Sequence, residues 1–134
     1  MVRDPRLVAQ VLELRHEADI YHHLRKNDCA DVVPTFFGFS ESAGVLCLEF
    51  EGEDFEDIGE ENLPVALKLS AVDAIQRISQ TGVLHGDLAL RNIVRSKEHP
   101  NRAKIIDFGR ARVTKNKLLL ENQVSTLRRM LGVV

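Results

Sequence analysis

The chain has 134 residues, a net charge of −2 at pH 7 and 44% hydrophobic residues. This length limits it to one domain with an apolar core, and the charge excludes the strongly basic surface of a nucleic-acid-binding protein. No apolar run approaches membrane-spanning length, and the N-terminus lacks the apolar core of a signal peptide. The two cysteines, Cys29 and Cys47, form no motif. We therefore expect an intracellular, cytoplasmic protein with a buried thiol at Cys47, although a disulfide between the two stays open.

The first predicted element is a helix over residues 6–26, with Pro5 suited to its first turn. The apolar residues that recur at helical spacing are Leu7, Val11, Leu14, Ala18, Tyr21 and Leu24.

Two β-type runs follow, residues 32–39 and 45–50, with a turn between them. They predict a hairpin, in which Pro34 places the first half of the first run at an edge. A two-stranded sheet leaves edges unpaired and an apolar face uncovered. We therefore expect either that a partner chain covers this hairpin or that the chain is a truncated product of a longer protein.

An acidic loop, residues 51–61, precedes a predicted helix over residues 64–80. Asn62 is the candidate cap of this helix, and Gly82 ends it. Its apolar stripe consists of Leu67, Ala71, Ile75 and Ile78.

The stretch from residue 84 to residue 109 contains two polar motifs beside short β-type runs. Residues 85–92 read His-Gly-Asp-Leu-Ala-Leu-Arg-Asn, and residues 104–109 read Lys-Ile-Ile-Asp-Phe-Gly. The polar residues 96–102 indicate a turn between them. We therefore expect two short strands to pair, which brings the two polar motifs to one edge of a hairpin.

The chemistry of these motifs suits phosphoryl transfer. That reaction needs a carboxylate to receive a hydroxyl proton and further oxygen ligands to hold Mg²⁺. Asp87 fits the first role, and Asn92 and Asp107 fit the second.

After Gly109 the chain is basic and ends in a predicted helix. Chain order alone suggests Glu121 of this helix as an anchor for residues 85–92, and the packing of the helix beneath that loop is implied only by the resemblance described below. The apolar stripe of this helix consists of Leu120, Val124, Leu127 and Leu131.

The two polar motifs resemble those of the protein kinase superfamily: residues 85–92 resemble the catalytic loop, and residues 105–109 resemble the magnesium-binding segment. The resemblance implies an α+β, protein kinase-like fold in a single domain, residues 1–134. Its incomplete small lobe and hinge, one helix and a two-stranded hairpin, cover about residues 1–52. A minimal helical large lobe covers residues 53–134.

The resemblance also implies ATP and Mg²⁺ as cofactors. Glu17, seven residues before Leu24, matches the glutamate that pairs with a phosphate-gripping lysine in this family. The implied site residues are Asp87 as catalytic base, His85, Asn92 and Glu17 as further catalytic residues, Asn92 and Asp107 as metal ligands, and Leu48, Glu49 and Glu51 at the adenine.

The sequence departs from the family pattern in three places. No glycine precedes Gly38, so the glycine-rich phosphate loop is not found, and the lysine strand is absent or cut to a stub at residues 1–3. Gly86 stands where most protein kinases have an arginine, and the order His-Gly-Asp resembles the catalytic loop of small-molecule phosphotransferases. Ala89 and Arg91, by contrast, resemble the catalytic loop of tyrosine kinases. No Ala-Pro-Glu segment follows Gly109.

The expected function is an ATP-dependent phosphotransferase that is weak or incomplete as this chain alone. Two alternatives stay open: a pseudokinase or protein-interaction module that keeps the fold without catalysis, and a small-molecule kinase. The expected partners are ATP and either a protein substrate or a chain that covers the small-lobe hairpin, with no nucleic acid and no membrane.

Overall fold

The computed structural model describes residues 5–49 and 52–133. Within these residues the chain is α+β, as expected, with four α-helices and three two-stranded antiparallel sheets. No helix in this part of the chain is long and apolar enough to cross a membrane. The elements in chain order are α1 (Pro5–Lys26), β1 (Phe36–Ser40), β2 (Val45–Leu48), α2 (Phe55–Ile58), α3 (Val65–Gln80), β3 (Val83–Leu84), β4 (Ile93–Arg95), β5 (Ala103–Ile105), β6 (Arg112–Val113) and α4 (Lys117–Leu131).

The predicted first helix is confirmed as α1, which buries mainly its C-terminal half. Tyr21 and Leu24 lie in this half and are almost inaccessible to solvent, whereas Leu12 in the other half is exposed. The helix ends because Asp28 takes a left-handed φ of +63°, which lets the next N–H donate to the Leu24 carbonyl. Residues 1–3, expected to hold a strand stub, lie outside the described residues.

The predicted first hairpin is confirmed as β1 and β2, with Phe36 opposite Leu48. Its first strand is shorter than predicted, because Pro34 has no N–H to donate and pairing begins only after it. A 3₁₀ turn, Ala30–Val32, occupies the start of the predicted strand.

The prediction of a buried Cys47 is wrong. Cys47 is exposed on β2, whereas Cys29 is buried, and both are free thiols. The register of β1 and β2 shifts between Phe36 and Gly38, which places Cys47 opposite Gly38. Because side chains alternate along a strand, the neighbours of Cys47 face the core in its place.

Helices α3 and α4 pack against each other. The predicted stripe of α3 is buried, and so are Leu127 and Leu131 of α4. Gly132 ends α4 in a left-handed conformation, as its position after the stripe predicts. The predicted cap Asn62 is wrong: Asn62 lies in a separate 3₁₀ turn, and Pro64 occupies the N-cap position of α3.

The predicted second hairpin is confirmed as β4 and β5, with Ile93 opposite Ile105. A further pair, β3 with β6, places Val83 opposite Val113 and was not predicted from the sequence. The two strand pairs enclose two loops, residues 85–92 and 106–111, so these loops are held at both ends.

A column of four rings joins the hairpin, α1 and both enclosed loops. The Phe36 ring stacks on Tyr21 at 5.7 Å, Tyr21 meets Phe108 edge-on at 5.3 Å, and Phe108 meets His85 edge-on at 4.9 Å between centroids. Aromatic contacts of this geometry stabilise a fold beyond the area they bury. The column therefore ties the enclosed loops to the N-terminal part of the chain.

We predict that Tyr21→Phe keeps or raises the stability of the protein. The Tyr21 hydroxyl is buried and makes no hydrogen bond of good geometry with a described residue. Burial, then the Glu17 and Asp107 carboxylates, raise the pKa of Tyr21 above its usual value, and the nearby Asp107 backbone opposes them only in part. Removing this hydroxyl retains the stack and is expected to change the free energy of unfolding by between zero and about +1 kcal/mol. Tyr21→Ala, which empties the column, is expected to cost about 3–5 kcal/mol. Urea unfolding measures both, and a loss above about 1 kcal/mol in Tyr21→Phe would contradict the prediction.

Candidate functional site

The two enclosed loops approach so closely that one position must be glycine. Gly86 has a left-handed φ of +87°, and a Cβ atom there would lie 2.3 Å from the Arg110 carbonyl oxygen. A side chain at residue 86 is therefore excluded both by the backbone conformation and by the facing loop.

His85 connects the two loops through a fully buried side chain. Its ring Nε2 donates to the Ile106 carbonyl at 2.8 Å, and its Nδ1 accepts from the Asp87 N–H at 3.1 Å. Burial lowers the pKa of His85 below its usual value, which favours the neutral ring that this pair of bonds requires. With both nitrogens engaged, His85 holds Asp87 in position and has no free nitrogen for proton transfer.

Gln123 of α4 is a site residue that the sequence analysis missed. Its Oε1 accepts from the His85 backbone N–H at 2.8 Å, and its Nε2 donates to Ser79 Oγ at 2.8 Å and to the Val83 carbonyl at 3.0 Å. The predicted anchor Glu121 is exposed instead. Gln123 lies four residues before Leu127 and so continues the helical spacing of the apolar stripe. A polar residue at such a position is the sequence signal of a buried anchor.

Asn92 and Arg91 fix the backbone and the carboxylate of Asp87. The Asn92 Nδ2 donates to the Asp87 carbonyl at 2.8 Å, and Asn92 is almost fully buried. Arg91 donates to both Asp87 carboxylate oxygens, at 2.9 and 3.1 Å. Partial burial raises the pKa of Asp87, but the charge and hydrogen bonds of Arg91 outweigh it and lower the pKa overall, so the carboxylate is ionised at neutral pH.

Asp107 lies on the facing loop in a left-handed conformation with φ of +63°. The residues on either side of it are held by hydrogen bonds: the Ile106 N–H donates to the Asn92 carbonyl at 2.9 Å, and the Phe108 N–H donates to Glu17 Oε1 at 3.1 Å. Left-handed backbone is costly for a residue other than glycine, so these contacts must hold it. The hydrogen bond from Ile106 to Asn92 thus joins the two backbone segments that carry the sequence-predicted metal ligands, Asn92 and Asp107.

Glu17 approaches this loop from α1. Burial raises the pKa of Glu17, and the Asp107 carboxylate raises it further, while the hydrogen bond from Phe108 opposes both. The observed hydrogen-bond partner of Glu17 is the backbone N–H of Phe108, the residue after Asp107.

A cavity of about 430 Å³ lies beside Asp107, within the size range of small-molecule sites. It brings together four of the sequence-predicted site residues: Glu17, Leu48, Glu49 and Asp107. Its other lining residues, which the sequence analysis did not select for this role, are Pro34, Gly52, Asp54, Val94 and Ile106. Glu51, the remaining predicted adenine residue, lies outside the described residues. The other predicted site residues do not line the cavity: His85, Asp87 and Asn92 lie in the adjoining loop, residues 85–92.

The cavity is acidic. Four carboxylates line it, those of Glu17, Glu49, Asp54 and Asp107, and no Lys, Arg or His belongs to the described lining. Such a cavity favours cations over bare phosphates. No group of three or more His, Cys, Asp or Glu residues in the described part of the chain is arranged to hold a metal ion alone.

A larger groove of about 790 Å³ lies between α3 and α4, with Lys115 and Lys117 among its lining residues. Its lining includes Glu121, the predicted anchor, but none of the predicted catalytic, metal-binding or adenine-binding residues, so the smaller cavity is the candidate site.

Gly86→Ala tests the close approach of the two loops. It is expected to cost about 3 kcal/mol or more, because a left-handed Ala and a backbone clash add together. Gly132→Ala is the matched control, since Gly132 also has a positive φ but nothing lies within 4 Å of the added Cβ. The control is expected to cost about 1 kcal/mol in urea unfolding. Equal costs for the two variants would show that the loops do not meet as described.

Glu17→Gln tests the charge at the cavity through pH. An acid whose pKa is raised by folding costs stability when it ionises, and this cost is present above its folded pKa and absent below its unfolded value of about 4.3. Glu17→Gln is therefore expected to be more stable than the wild type at pH 7.5, with a difference that disappears near pH 4, as measured by thermal unfolding. The control Glu13→Gln, on an exposed turn of the same helix, is expected to show a smaller difference. A Glu17→Gln variant that is less stable at pH 7.5 would contradict the assignment.

Comparison of the sequence with models of known protein families gives no match, and comparison with curated proteins gives no significant relative. What this site does must therefore follow from its own residues.

Proposed function

We propose that this chain is a phosphotransferase of the protein kinase-like superfamily that uses ATP and Mg²⁺. The observation that carries the proposal is the hydrogen-bonded arrangement of Asp87, Asn92 and the Asp107 segment beside the cavity of Leu48 and Glu49. An ionised carboxylate, a fixed amide and a second carboxylate at adjoining loops form the oxygen-rich set that phosphoryl transfer uses.

The donor set fits Mg²⁺. Because the Asn92 amide nitrogen donates to the Asp87 carbonyl, the amide oxygen is the atom left for a cation, and the exposed Asp107 carboxylate is a second hard ligand. Mg²⁺ sites commonly take one or two protein ligands and complete the shell with water and phosphate oxygens. When bound, the metal neutralises charge on the phosphates, which four cavity carboxylates cannot do.

Asp87 has the role of base in this proposal. As the acceptor hydroxyl forms its bond to the γ-phosphorus and the bond to the β–γ bridging oxygen breaks, ADP leaves and the hydroxyl proton passes to the Asp87 carboxylate. His85 and Asn92 position Asp87 through its backbone, and Arg91 keeps it ionised. Its lowered pKa makes it a weak base, so we expect a slow reaction.

The nucleotide base would occupy the apolar part of the cavity, between Leu48, Val94 and Ile106. The Glu49 N–H already donates to the Thr35 carbonyl at 2.8 Å, so the Glu49 carbonyl is the backbone group of that residue suited to an amino group of adenine.

A second candidate is a nucleotide-binding module without catalysis. The absence of any cation from the described lining favours it, because charge neutralisation supplies much of the rate of phosphoryl transfer.

The first test is binding of Mg·ATP by calorimetry. Asp107→Asn is expected to weaken binding by about tenfold or more, because a metal ligand loses its charge. Asp73→Asn, which removes the same charge from an exposed position of α3, is expected to leave binding unchanged. Absence of Mg·ATP binding in the wild type would reject both candidate functions.

Turnover then separates the two candidates. Asp87→Asn is expected to leave Mg·ATP affinity nearly unchanged and to lower ADP release by about a hundredfold, the usual contribution of a general base. Binding without any turnover in the wild type would favour the binding module.

A further inference from the structure

The groove between α3 and α4 is a preformed concave surface outside the candidate site. Ser79 of α3 lines it, and the Ser79 hydroxyl oxygen accepts from Gln123 Nε2 of α4 at 2.8 Å. Both side chains are almost fully buried, so this bond ties the two helices together at the groove. Leu120 and Val124 of α4 supply its apolar surface. The groove has a volume of about 790 Å³, which suits a small molecule.

One end of the groove is basic. Lys115 and Lys117 line it there, beside the end of α3, because the neighbouring Thr114 N–H donates to the Gly82 carbonyl at 2.8 Å. Both lysines are exposed, and neither forms an ion pair within the described part of the chain. Two ammonium groups that line one concave surface without an ion-pair partner attract an anion.

The walls of the groove carry hydrogen-bonding side chains that are available to a ligand. Gln76 and Gln80 lie one turn apart on α3, and Glu121 and Ser125 lie one turn apart on α4. All four residues are exposed, and none of their side chains hydrogen-bonds to another residue in the described ranges. Amides both donate and accept, whereas a carboxylate accepts, so this set pairs best with the hydroxyl groups of a ligand.

The charge and the shape of the lining side chains limit the class of ligand. Lys115 and Lys117 contribute two positive charges and Glu121 contributes one negative charge, so the lining balances roughly one phosphate group and a triphosphate would exceed it. No aromatic side chain belongs to the described lining, so the planar base of a nucleotide finds no stacking partner there. These features favour a monophosphate with a saturated, hydroxyl-bearing body.

We propose that the α3–α4 groove is a second ligand site, which binds a sugar monophosphate with the phosphate at Lys115 and Lys117. The sugar hydroxyls pair with the side chains of Gln76, Gln80 and Glu121, and the C–H groups of the sugar ring lie on the apolar part of the lining. The inference goes beyond the proposed function, because the described lining of the groove shares no residue with the described lining of the acidic cavity.

The probe is glucose 6-phosphate, titrated into the full chain and followed by the NMR shifts of the backbone amides. Glucose, which lacks the phosphate, and inorganic phosphate, which lacks the sugar, are the matched control ligands, and ADP tests the alternative of a nucleotide. The protein variants are Lys115→Gln, Lys117→Gln and Gln80→Leu. Their matched controls are Lys26→Gln and Gln10→Leu at exposed positions of α1, with folding checked by circular dichroism.

We expect glucose 6-phosphate to bind at least about tenfold more tightly than glucose, inorganic phosphate or ADP, and to shift the amides of residues 76–80 and 114–125. Each groove lysine variant is expected to weaken its binding by about threefold, since an exposed charge contact is lost. Gln80→Leu is expected to weaken it by about fivefold, since a hydrogen bond is lost, and to leave the binding of inorganic phosphate unchanged. Both α1 controls are expected to bind like the wild type.

Equal binding of glucose 6-phosphate and inorganic phosphate would overturn the inference, because it would show an unspecific attraction of anions. Tighter binding of ADP, amide shifts confined to residues outside the groove, an equal loss in Lys26→Gln, or no binding at millimolar ligand would each overturn it as well. The test needs neither Mg²⁺ nor ATP, so it is separable from the proposed function. Binding of glucose 6-phosphate without Mg·ATP binding would support the groove site and reject the phosphotransferase, and the reverse result would overturn the groove site alone.

Discussion

The burial of one neutral imidazole determines the geometry of the candidate site. His85 has no exposed surface, and it uses both ring nitrogens and its backbone N–H in hydrogen bonds to three different parts of the chain. Because a buried polar group without partners is costly, each of these bonds restricts the segment that supplies its partner. Gln123, Asp87 and Ile106 are thereby fixed with respect to one another.

The ring column extends this constraint to the N-terminal part of the chain. Phe108 contacts both His85 and Tyr21, and its N–H is bound by Glu17, so α1 and the Asp107 loop are held together by packing and by a hydrogen bond. The result is a rigid cavity with an excess of negative charge. Rigidity suits a binding site, and the unbalanced charge explains why the proposed function involves a cation, the Mg²⁺ that accompanies the nucleotide.

Periodicity predicts the elements of this fold well where a long stripe must be buried. The stripe of α3 is of this kind. The β4–β5 hairpin is predicted differently, from two short apolar runs with a polar turn between them, and the α+β class follows from both. The two-residue pair β3–β6 has no periodicity to detect, and the exposure of Cys47 follows from the alternation of side chains along β2, a run too short and apolar to show which face meets the core. The anchor Gln123 could be predicted from its place on an apolar stripe, but the choice of Glu121 followed chain order alone. The kinase-like assignment, its cofactors and the roles of Asp87, Asn92 and Asp107 stay predictions.

Hydrogen–deuterium exchange with and without Mg·ATP tests most directly whether the fixed loops and the cavity form one ligand site. The central claim predicts slower exchange in residues 46–49, 85–92 and 104–109 together when Mg·ATP is added, and no change in residues 114–125 of the α3–α4 groove. Protection confined to residues 114–125, or protection of only one of the two loops, would contradict it.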